Sequence, residues 1–218
     1  MDQRERAWRA AGQAAAAQVE DGMRVGLGTG RAAAAGIRAL GERVAAGLRC
    51  TGVPTSRASA ALARELGIPV ERLRHPLDLA FDGADAVDPR GLLVKGGGGA
   101  LVRERLVADA AARFLVLVDP PKLVGSLDEW GVLPVAVVPF GAARAARELA
   151  DLGPRRRPGR SDDGLAILDL QVPAGSDWEH VAARAAAAPG AVDQGLFRVD
   201  LSRVLVGQPD GTWRPAGA

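Results

Sequence analysis

Two lysines stand out in a chain whose positive charge is otherwise carried by arginine. Lys95 and Lys122 accompany 26 arginines in a sequence of 218 residues. A position that keeps lysine in this background favours a compact primary ammonium with movable donors, which the planar guanidinium group does not reproduce. The alternative is that lysine is simply rare in an arginine-biased composition. Lys95 is the stronger candidate for chemistry because four consecutive glycines follow it.

Three carboxylates lie near that glycine run, all within 23 residues. Asp82 and Asp85 follow an apolar segment and can point into one crevice at the end of a strand, although Asp-Gly pairs also occur in ordinary turns. Glu104 falls early in the helix predicted after the glycines, where it either complements the helix dipole or acts as a general base. Ordering four glycines is entropically costly, so residues 96–99 predict a backbone that a ligand approaches closely. The set predicts a site for anionic chemistry.

Another glycine-rich segment, Gly-Leu-Gly-Thr-Gly at residues 26–30, joins a predicted strand to a predicted helix. We call residues 26–30 the first glycine loop and residues 95–99 the second. Glycines at a strand-to-helix junction let backbone N–H groups reach an anion, and Arg31 adds a charge there. A tight turn without a ligand is the plainer interpretation. The spacing also fits a loose dinucleotide fingerprint, but residues 50–56 lack the acidic residue which that fingerprint needs, so nicotinamide binding is a minor hypothesis.

Strands and helices alternate along the first half of the chain. The pattern predicts strands over residues 23–27, 48–53, 77–81 and 114–118, and helices over 3–20, 31–46, 57–66 and 100–112. This alternation is typical of an α/β fold with a doubly wound, mostly parallel (Rossmann-like) sheet. Ligands bind such sheets outside the carboxyl ends of the strands, where the candidate polar residues fall.

The later elements predict a second, smaller α+β domain of ferredoxin-like type. They are strands over residues 134–139, 165–172, 191–199 and 204–206, and helices over 142–151 and 177–187. We expect residues 1–130 to form the Rossmann-like catalytic domain and residues 131–203 the small domain, with residues 204–218 returning to the first. The basic segment 155–160 lies among Pro and Gly, which favours a solvated connector over a binding patch.

Composition and charge argue against several classes of protein. A net charge of +2 and 4% aromatic residues give little basis for binding nucleic acid. Cys50 is the only cysteine, and His75 and His180 have no Cys or His at ligand spacing, so we expect neither an intrachain disulfide nor a metal site. The sequence shows no apolar signal core and no membrane-spanning segment, which predicts a cytoplasmic protein without a membrane partner.

The chain resembles the type A ribose-5-phosphate isomerase family over nearly its whole length. The likeness is carried by the first glycine loop, by Val-Pro-Thr-Ser at residues 53–56, by Asp-Gly-Ala-Asp at 82–85 and by Lys-Gly-Gly-Gly-Gly-Ala at 95–100. It extends to Arg-Glu at 103–104, Lys-Leu at 122–123, Leu-Pro-Val at 133–135, Val-Pro-Phe at 138–140 and Gly-Leu-Phe at 195–197. The combination of the Asp-Gly-Ala-Asp and Lys-Gly-Gly-Gly-Gly-Ala motifs is highly specific.

The resemblance implies an aldose–ketose isomerase that interconverts ribose 5-phosphate and ribulose 5-phosphate in the non-oxidative pentose phosphate pathway. It implies that Glu104 is the proton acceptor, and the chemistry assigns supporting catalytic roles to Asp82, Asp85 and Lys95. Family members need no metal or other cofactor and form homodimers or homotetramers. The expected contacts with the sugar phosphate are Gly28, Thr29, Gly30, Arg31, Ala32, Asp82, Gly83, Ala84, Asp85, Lys95, Gly96, Gly97, Gly98 and Lys122.

Departures from the family pattern leave an alternative open. The family usually has Ser-Thr where this chain has Arg31 and Ala32, so two hydroxyl donors are lost and one cation is gained. Ala86 stands where a glutamate is usual, and Pro121 replaces the polar residue that usually precedes the lysine at 122. These changes affect neither Glu104 nor Lys95. The alternative is a sugar-phosphate-binding protein that is non-catalytic or has an altered specificity.

Overall fold

The computed structural model describes residues 2–74 and 76–217, so the expectation for His75 lies outside the described residues. The helices are α1 Gln3–Ala16, α2 Arg31–Ala45, α3 Arg57–Glu65, α4 Leu101–Ala110, α5 Ala142–Glu148 and α6 Trp178–Ala187. The strands are β1 Arg24–Leu27, β2 Thr51–Pro54, β3 Leu77–Gly83, β4 Ala86–Val87, β5 Leu92–Val94, β6 Ala111–Val118, β7 Val132–Val137, β8 Arg155–Arg156, β9 Ala166–Gln171, β10 Ala191–Gln194, β11 Leu196–Arg198, β12 Val204–Gly207 and β13 Trp213–Pro215. Within this part of the chain, no helix is both long and apolar enough to cross a bilayer.

The chain divides into two compact units by its internal contacts. The first unit takes the residues up to Ala84, Arg103–Leu123 and the residues from Val199 on, and the second takes Asp85–Val102 and Val124–Arg198. These units use different segments from the two predicted domains, because residues 85–102 and 124–130 belong to the second unit and residues 199–203 to the first. The reason is strand pairing: β5 lies between β4 and β11 in a small antiparallel sheet of the second unit.

The first unit contains the predicted doubly wound, mostly parallel sheet, which confirms the fold class. Its strand order is β13-β12-β6-β3-β1-β2, and only the pairing of β12 with β13 is antiparallel. Alternate residues of β3 serve the two faces: Leu79 and Phe81 pack in one cluster with Ile37, whereas Ala80 packs in another with Val107. Both faces of the sheet are therefore covered by helices, as expected for parallel strands.

The second unit contains a larger antiparallel sheet with the strand order β10-β7-β9-β8. With α5 after β7 and α6 after β9, its β-α-β-β-α-β order is ferredoxin-like, as predicted. The segment expected as one strand over 191–199 is instead two strands, β10 and β11, which join different sheets. The core of the second unit is aliphatic apart from Trp178 and includes Leu133, Val135, Leu149, Leu168, Leu170, Trp178 and Val181.

The basic segment at residues 155–160 corrects the sequence interpretation. Arg155 and Arg156 form the exposed strand β8, which pairs with β9 at the edge of the sheet rather than serving only as a solvated connector. The N–H of Arg157 continues the pairing by donating to the carbonyl of Ile167 at 2.9 Å. Charged side chains are common on such edges because they discourage pairing with another chain, and they hide the strand from an apolar pattern.

Candidate active site

The first glycine loop lies at the carboxyl end of β1 and is fixed by Asp82 from the end of β3. One carboxylate oxygen of Asp82 accepts hydrogen bonds from the N–H of Thr29 at 2.9 Å and from the N–H of Gly83 at 2.7 Å. A Cβ atom on Gly28 would lie 2.2 Å from the Asp82 carboxyl carbon, so a side chain there would displace the carboxylate. Glycine at 28 is thus required by a close approach rather than by a strained backbone.

Hydroxyl groups after β2 support the same loop. The hydroxyls of Thr29 and Thr55 are 2.7 Å apart, and the Ser59 hydroxyl donates to the carbonyl of Gly28 at 2.5 Å. Ser56 caps α3 by accepting from the N–H of Ser59 at 3.1 Å. The Val-Pro-Thr-Ser segment therefore serves as a buried support for the first glycine loop.

Arg31 begins α2, directly after Gly30, whose φ of 101° lies in the region that favours glycine. The guanidinium carbon of Arg31 lies 4.6 Å from the ring centre of Trp8 on α1, and the guanidinium carbon of Arg4 lies 5.3 Å from the same ring centre. Arg4 also donates to the buried Asp119 at 2.8 Å. Sequence motifs gave no signal for Trp8 or Arg4, because the contact depends on how α1 packs against α2.

Lys122 follows Asp119, the partner of Arg4, by three residues. It ends the 3₁₀ turn Pro120–Lys122, and its N–H donates to the carbonyl of Asp119 at 2.9 Å. Since Asp119 follows β6 and β6 pairs in parallel with β3, this turn emerges at the same edge of the sheet as Asp82. The first unit therefore gathers the predicted residues of the first glycine loop, Asp82 and the Lys122 turn at one edge.

Glu104 lies in the first turn of α4 and is only 4% exposed. Asp82 and Lys95 are each 2% exposed, whereas Asp85 is half-buried. Ionisable side chains are rarely this buried unless they are paired or functional. This burial separates the three groups from the many solvated charges of the chain. Asp88 and Asp119 are buried to the same extent, and each pairs with an arginine.

The second glycine loop is fixed within the second unit by backbone and side-chain contacts. The N–H of Lys95 donates to the carbonyl of Gly195 at 2.8 Å, and the Lys95 ammonium lies 5.8 Å from the ring centre of Phe197. Asp85 accepts from the N–H of Gly97 at 2.7 Å. These contacts bring Asp85 together with the Lys-Gly-Gly segment and explain why the late Gly-Leu-Phe motif accompanies it.

Glycine is required in the second loop for two reasons. Gly96 and Gly99 have φ values of 100° and 76°, which residues with a side chain rarely adopt. A Cβ atom on Gly97 would lie 2.5 Å from an oxygen of Asp85. Gly97 and Gly98 are exposed, so the backbone between the strained positions is accessible to a ligand. The described residues contain no group of three or more His, Cys, Asp or Glu side chains suited to hold a metal ion.

Comparison with known proteins gives consistent matches. The family model for ribose 5-phosphate isomerase A (phosphoriboisomerase A) matches residues 51–211. The ribose-5-phosphate isomerase A of Thermomicrobium roseum is 48% identical over 95% of this chain and 92% of that protein, and the one of Deinococcus radiodurans is 45% identical over 89% and 91%.

Solved structures agree with these matches. Ribose 5-phosphate isomerase A from Methanocaldococcus jannaschii superposes with a TM-score of 0.87 at 35% identity, covering 95% of this chain and 97% of that one. A D-ribose-5-phosphate isomerase in complex with phospho-erythronic acid gives a TM-score of 0.88 at 32% identity, covering 97% and 99%. The chain belongs to the ribose-5-phosphate isomerase A family, and it is an isomerase of ribose 5-phosphate and ribulose 5-phosphate.

Proposed function

We propose that Glu104 is the general base of this isomerisation. In the open-chain aldose the base removes the proton from C2, which leaves an enediolate with negative charge on the C1 oxygen. The same carboxylic acid then returns the proton to C1, while a proton passes from the C2 oxygen to the C1 oxygen to give the ketose. The observation that supports this role is the burial of Glu104 in the first turn of α4, because carboxylates are rarely this buried unless they are paired or functional.

The developing oxyanion needs fixed donors, and Lys95 with the second glycine loop supplies them in this proposal. The ammonium is buried, and the N–H of the exposed Gly98, held in an ordered loop, needs little reorganisation as charge forms. Asp82 and Asp85 hold sugar hydroxyls and pass a proton to the ring oxygen when the cyclic sugar opens. The hydrogen bond from the N–H of Gly97 to Asp85 supports a role for this carboxylate and the loop in the same site.

The phosphate of the substrate is assigned to the first glycine loop and to Lys122. Backbone N–H groups of residues 30–32 at the start of α2, with Arg31, offer positive potential there. The complex of a related isomerase with phospho-erythronic acid supports a phosphate-bearing ligand in this fold. Arg31 stands in for the hydroxyl donors that the family usually has at this turn.

We also propose that the enzyme is a homodimer or homotetramer that works in the cytoplasm. Light scattering coupled to size exclusion tests the first part, and a single-chain mass at micromolar concentration would contradict it. Fractionation of cells that express a tagged full-length chain tests the second part, and recovery with membranes would contradict it.

A coupled assay of ribose 5-phosphate conversion with wild type and Glu104→Gln tests the central proposal. The variant keeps the size of the side chain and removes its basicity, so kcat should fall about 10²- to 10⁴-fold. Asp109→Asn is a matched control, because Asp109 is an exposed carboxylate on the same helix. Equal rates for wild type and Glu104→Gln would remove Glu104 from its role. Thermal stabilisation by ribose 5-phosphate without any turnover would favour the non-catalytic alternative.

A further inference from the structure

Arg157 has a side chain that is only 24% exposed, although it lies in the basic segment after β8. Its guanidinium donates to both carboxylate oxygens of Asp169 on β9, at 2.7 and 2.6 Å. A bidentate ion pair of this kind holds the planar guanidinium in one orientation. The third nitrogen is thereby directed away from β9 and donates to the carbonyls of Gly96 at 2.7 Å and Gly97 at 3.0 Å.

These contacts set the direction of two peptide groups in the second glycine loop. In a trans peptide the C=O and the following N–H point in opposite directions, and the described residues contain no cis peptide bond. When Arg157 draws the carbonyls of Gly96 and Gly97 towards itself, the N–H groups of Gly97 and Gly98 must point away from it. Asp85 accepts from the first of these, on the side opposite Arg157. The N–H of Gly98 is turned to that same side.

Glycine backbone has no intrinsic preference that would hold this arrangement. Gly97 and Gly98 are exposed and carry no side chain that could pack. Four glycines in sequence have many accessible conformations, and one hydrogen bond within the loop, from the N–H of Gly99 to the carbonyl of Gly96 at 2.9 Å, closes a turn. The orientation of the Gly97 carbonyl must come from contacts outside the loop. Arg157 on one side and Asp85 on the other are such contacts, and both belong to the second unit.

We infer that Arg157 is a positioning residue of the isomerase, which holds the Gly97 carbonyl and thereby orients the N–H of Gly98 as a donor towards the substrate, while the N–H of Gly97 stays on Asp85. The inference rests on the proposed function, in which a backbone N–H of this loop stabilises the enediolate oxygen. Arg157 does not touch the substrate itself. Because this donor acts on charge that appears in the transition state, its loss should lower kcat much more than it changes KM.

The test compares Arg157→Gln with Arg156→Gln, which removes the same charge from an exposed neighbour in β8. In Arg157→Gln, kcat should fall about 10- to 100-fold while KM for ribose 5-phosphate changes by less than about threefold. Arg156→Gln should match wild type. Amide hydrogen exchange at residues 96–99 should become faster in Arg157→Gln, at an unchanged exchange rate in the core strands β7 and β9.

Two further variants keep the test decisive if Arg157→Gln does not fold. Arg157→Lys keeps the charge but cannot donate to Asp169 and to both carbonyls at once. Asp169→Asn removes the negative charge that orients the Arg157 guanidinium. Both should show the same selective loss of kcat to a smaller degree, with faster exchange in the loop. Wild-type kcat and wild-type exchange in these variants would overturn the inference and leave the proposed function intact, because Glu104→Gln tests that separately. Absence of turnover in wild type would refute both.

Discussion

The two glycine loops are held in place by different kinds of contact. In each loop an aspartate accepts a backbone N–H: Asp82 holds Thr29 at 2.9 Å and Asp85 holds Gly97 at 2.7 Å. Around Gly28 the rest of the support is buried and rigid, because it comes from neighbouring parallel strands and the Ser59 hydroxyl. Gly97 is exposed, and its carbonyl is held by a single arginine side chain.

This difference explains where the chain can depart from its family. The first loop owes its shape to strand register and to close packing, so the residues that follow it, Arg31 and Ala32, can change without loss of the turn. The second loop, within the described residues, has backbone–backbone hydrogen bonds only at Lys95 and between Gly99 and Gly96, and its motif is kept in full from Lys95 to Ala100. The family model matches residues 51–211, which include the second loop and leave out the first.

Among the variants that test this comparison, the largest expected effect comes from Lys95→Arg, with Lys122→Arg as its counterpart. Lys95 is 2% exposed, so the larger guanidinium would both crowd its surroundings and lose the compact donor to the oxyanion. We expect kcat to fall about 10²- to 10³-fold for Lys95→Arg. Lys122 is half-buried and keeps its charge on substitution, so Lys122→Arg should retain most activity. Similar rates for the two variants would contradict the distinction between a buried catalytic ammonium and an accessible anchoring one.

The next largest effects are expected from matched glycine-to-alanine substitutions, which should affect the stability of the protein differently in the two loops. A Cβ atom on Gly28 would meet the Asp82 carboxyl carbon at 2.2 Å and its Cα atom at 2.6 Å, so backbone must move. Gly28→Ala should therefore cost about 1–3 kcal/mol of unfolding free energy as well as activity. On Gly97 the three atoms nearest to the Cβ atom would all belong to the side-chain carboxylate of Asp85, which can rotate.

Gly97→Ala should accordingly leave the unfolding free energy nearly unchanged and still reduce kcat. Chemical denaturation and the coupled assay, run on both variants, measure the two quantities. If Gly97→Ala destabilised the protein as much as Gly28→Ala does, the view of the second loop as an exposed and side-chain-held segment would be wrong.

The sequence was sufficient for the first loop and for most of the fold. Buried apolar runs alternating with helices predict a parallel sheet, and the carboxyl ends of its strands then locate Gly28 and Asp82. The family motifs supply Asp85, Lys95 and Glu104 as candidates. The positions follow from local patterns, because each lies at the end of a strand or at the start of a helix.

Two features escaped prediction for physical reasons. Strand β8 consists of two exposed arginines, so it has no apolar alternation, and the hydrogen bonds of Arg157 depend on a register with β9 that only the folded sheet defines. The contact of Trp8 with Arg31 likewise arises from helix packing: a Cβ atom on Gly12 would lie 2.6 Å from the backbone of Gly36, which shows how closely α1 approaches α2.

A smaller effect is expected where the first loop departs from the family. Trp8→Leu removes the ring beside which the Arg31 guanidinium rests, 4.6 Å from its centre, and should raise KM for ribose 5-phosphate about two- to fivefold with little change in kcat. Arg31→Ala removes the cation itself and should raise KM about tenfold. Arg38→Ala, which removes an exposed cation from the same helix, is the control. Wild-type KM in Arg31→Ala would show that Arg31 does not stand in for the missing hydroxyls.

The smallest effect is expected for Ser59→Ala, which probes how much the first loop depends on any one contact. The variant removes the hydroxyl that donates to the Gly28 carbonyl and should lower the unfolding free energy by about 1 kcal/mol. Because Asp82 and the Phe81 carbonyl, which accepts the Gly28 N–H at 3.0 Å, still hold the loop, kcat should stay within about threefold of wild type. A loss of kcat as large as that of Arg157→Gln would mean that the first loop is no better supported than the second, and the contrast between a redundant framework and a single arginine would fail.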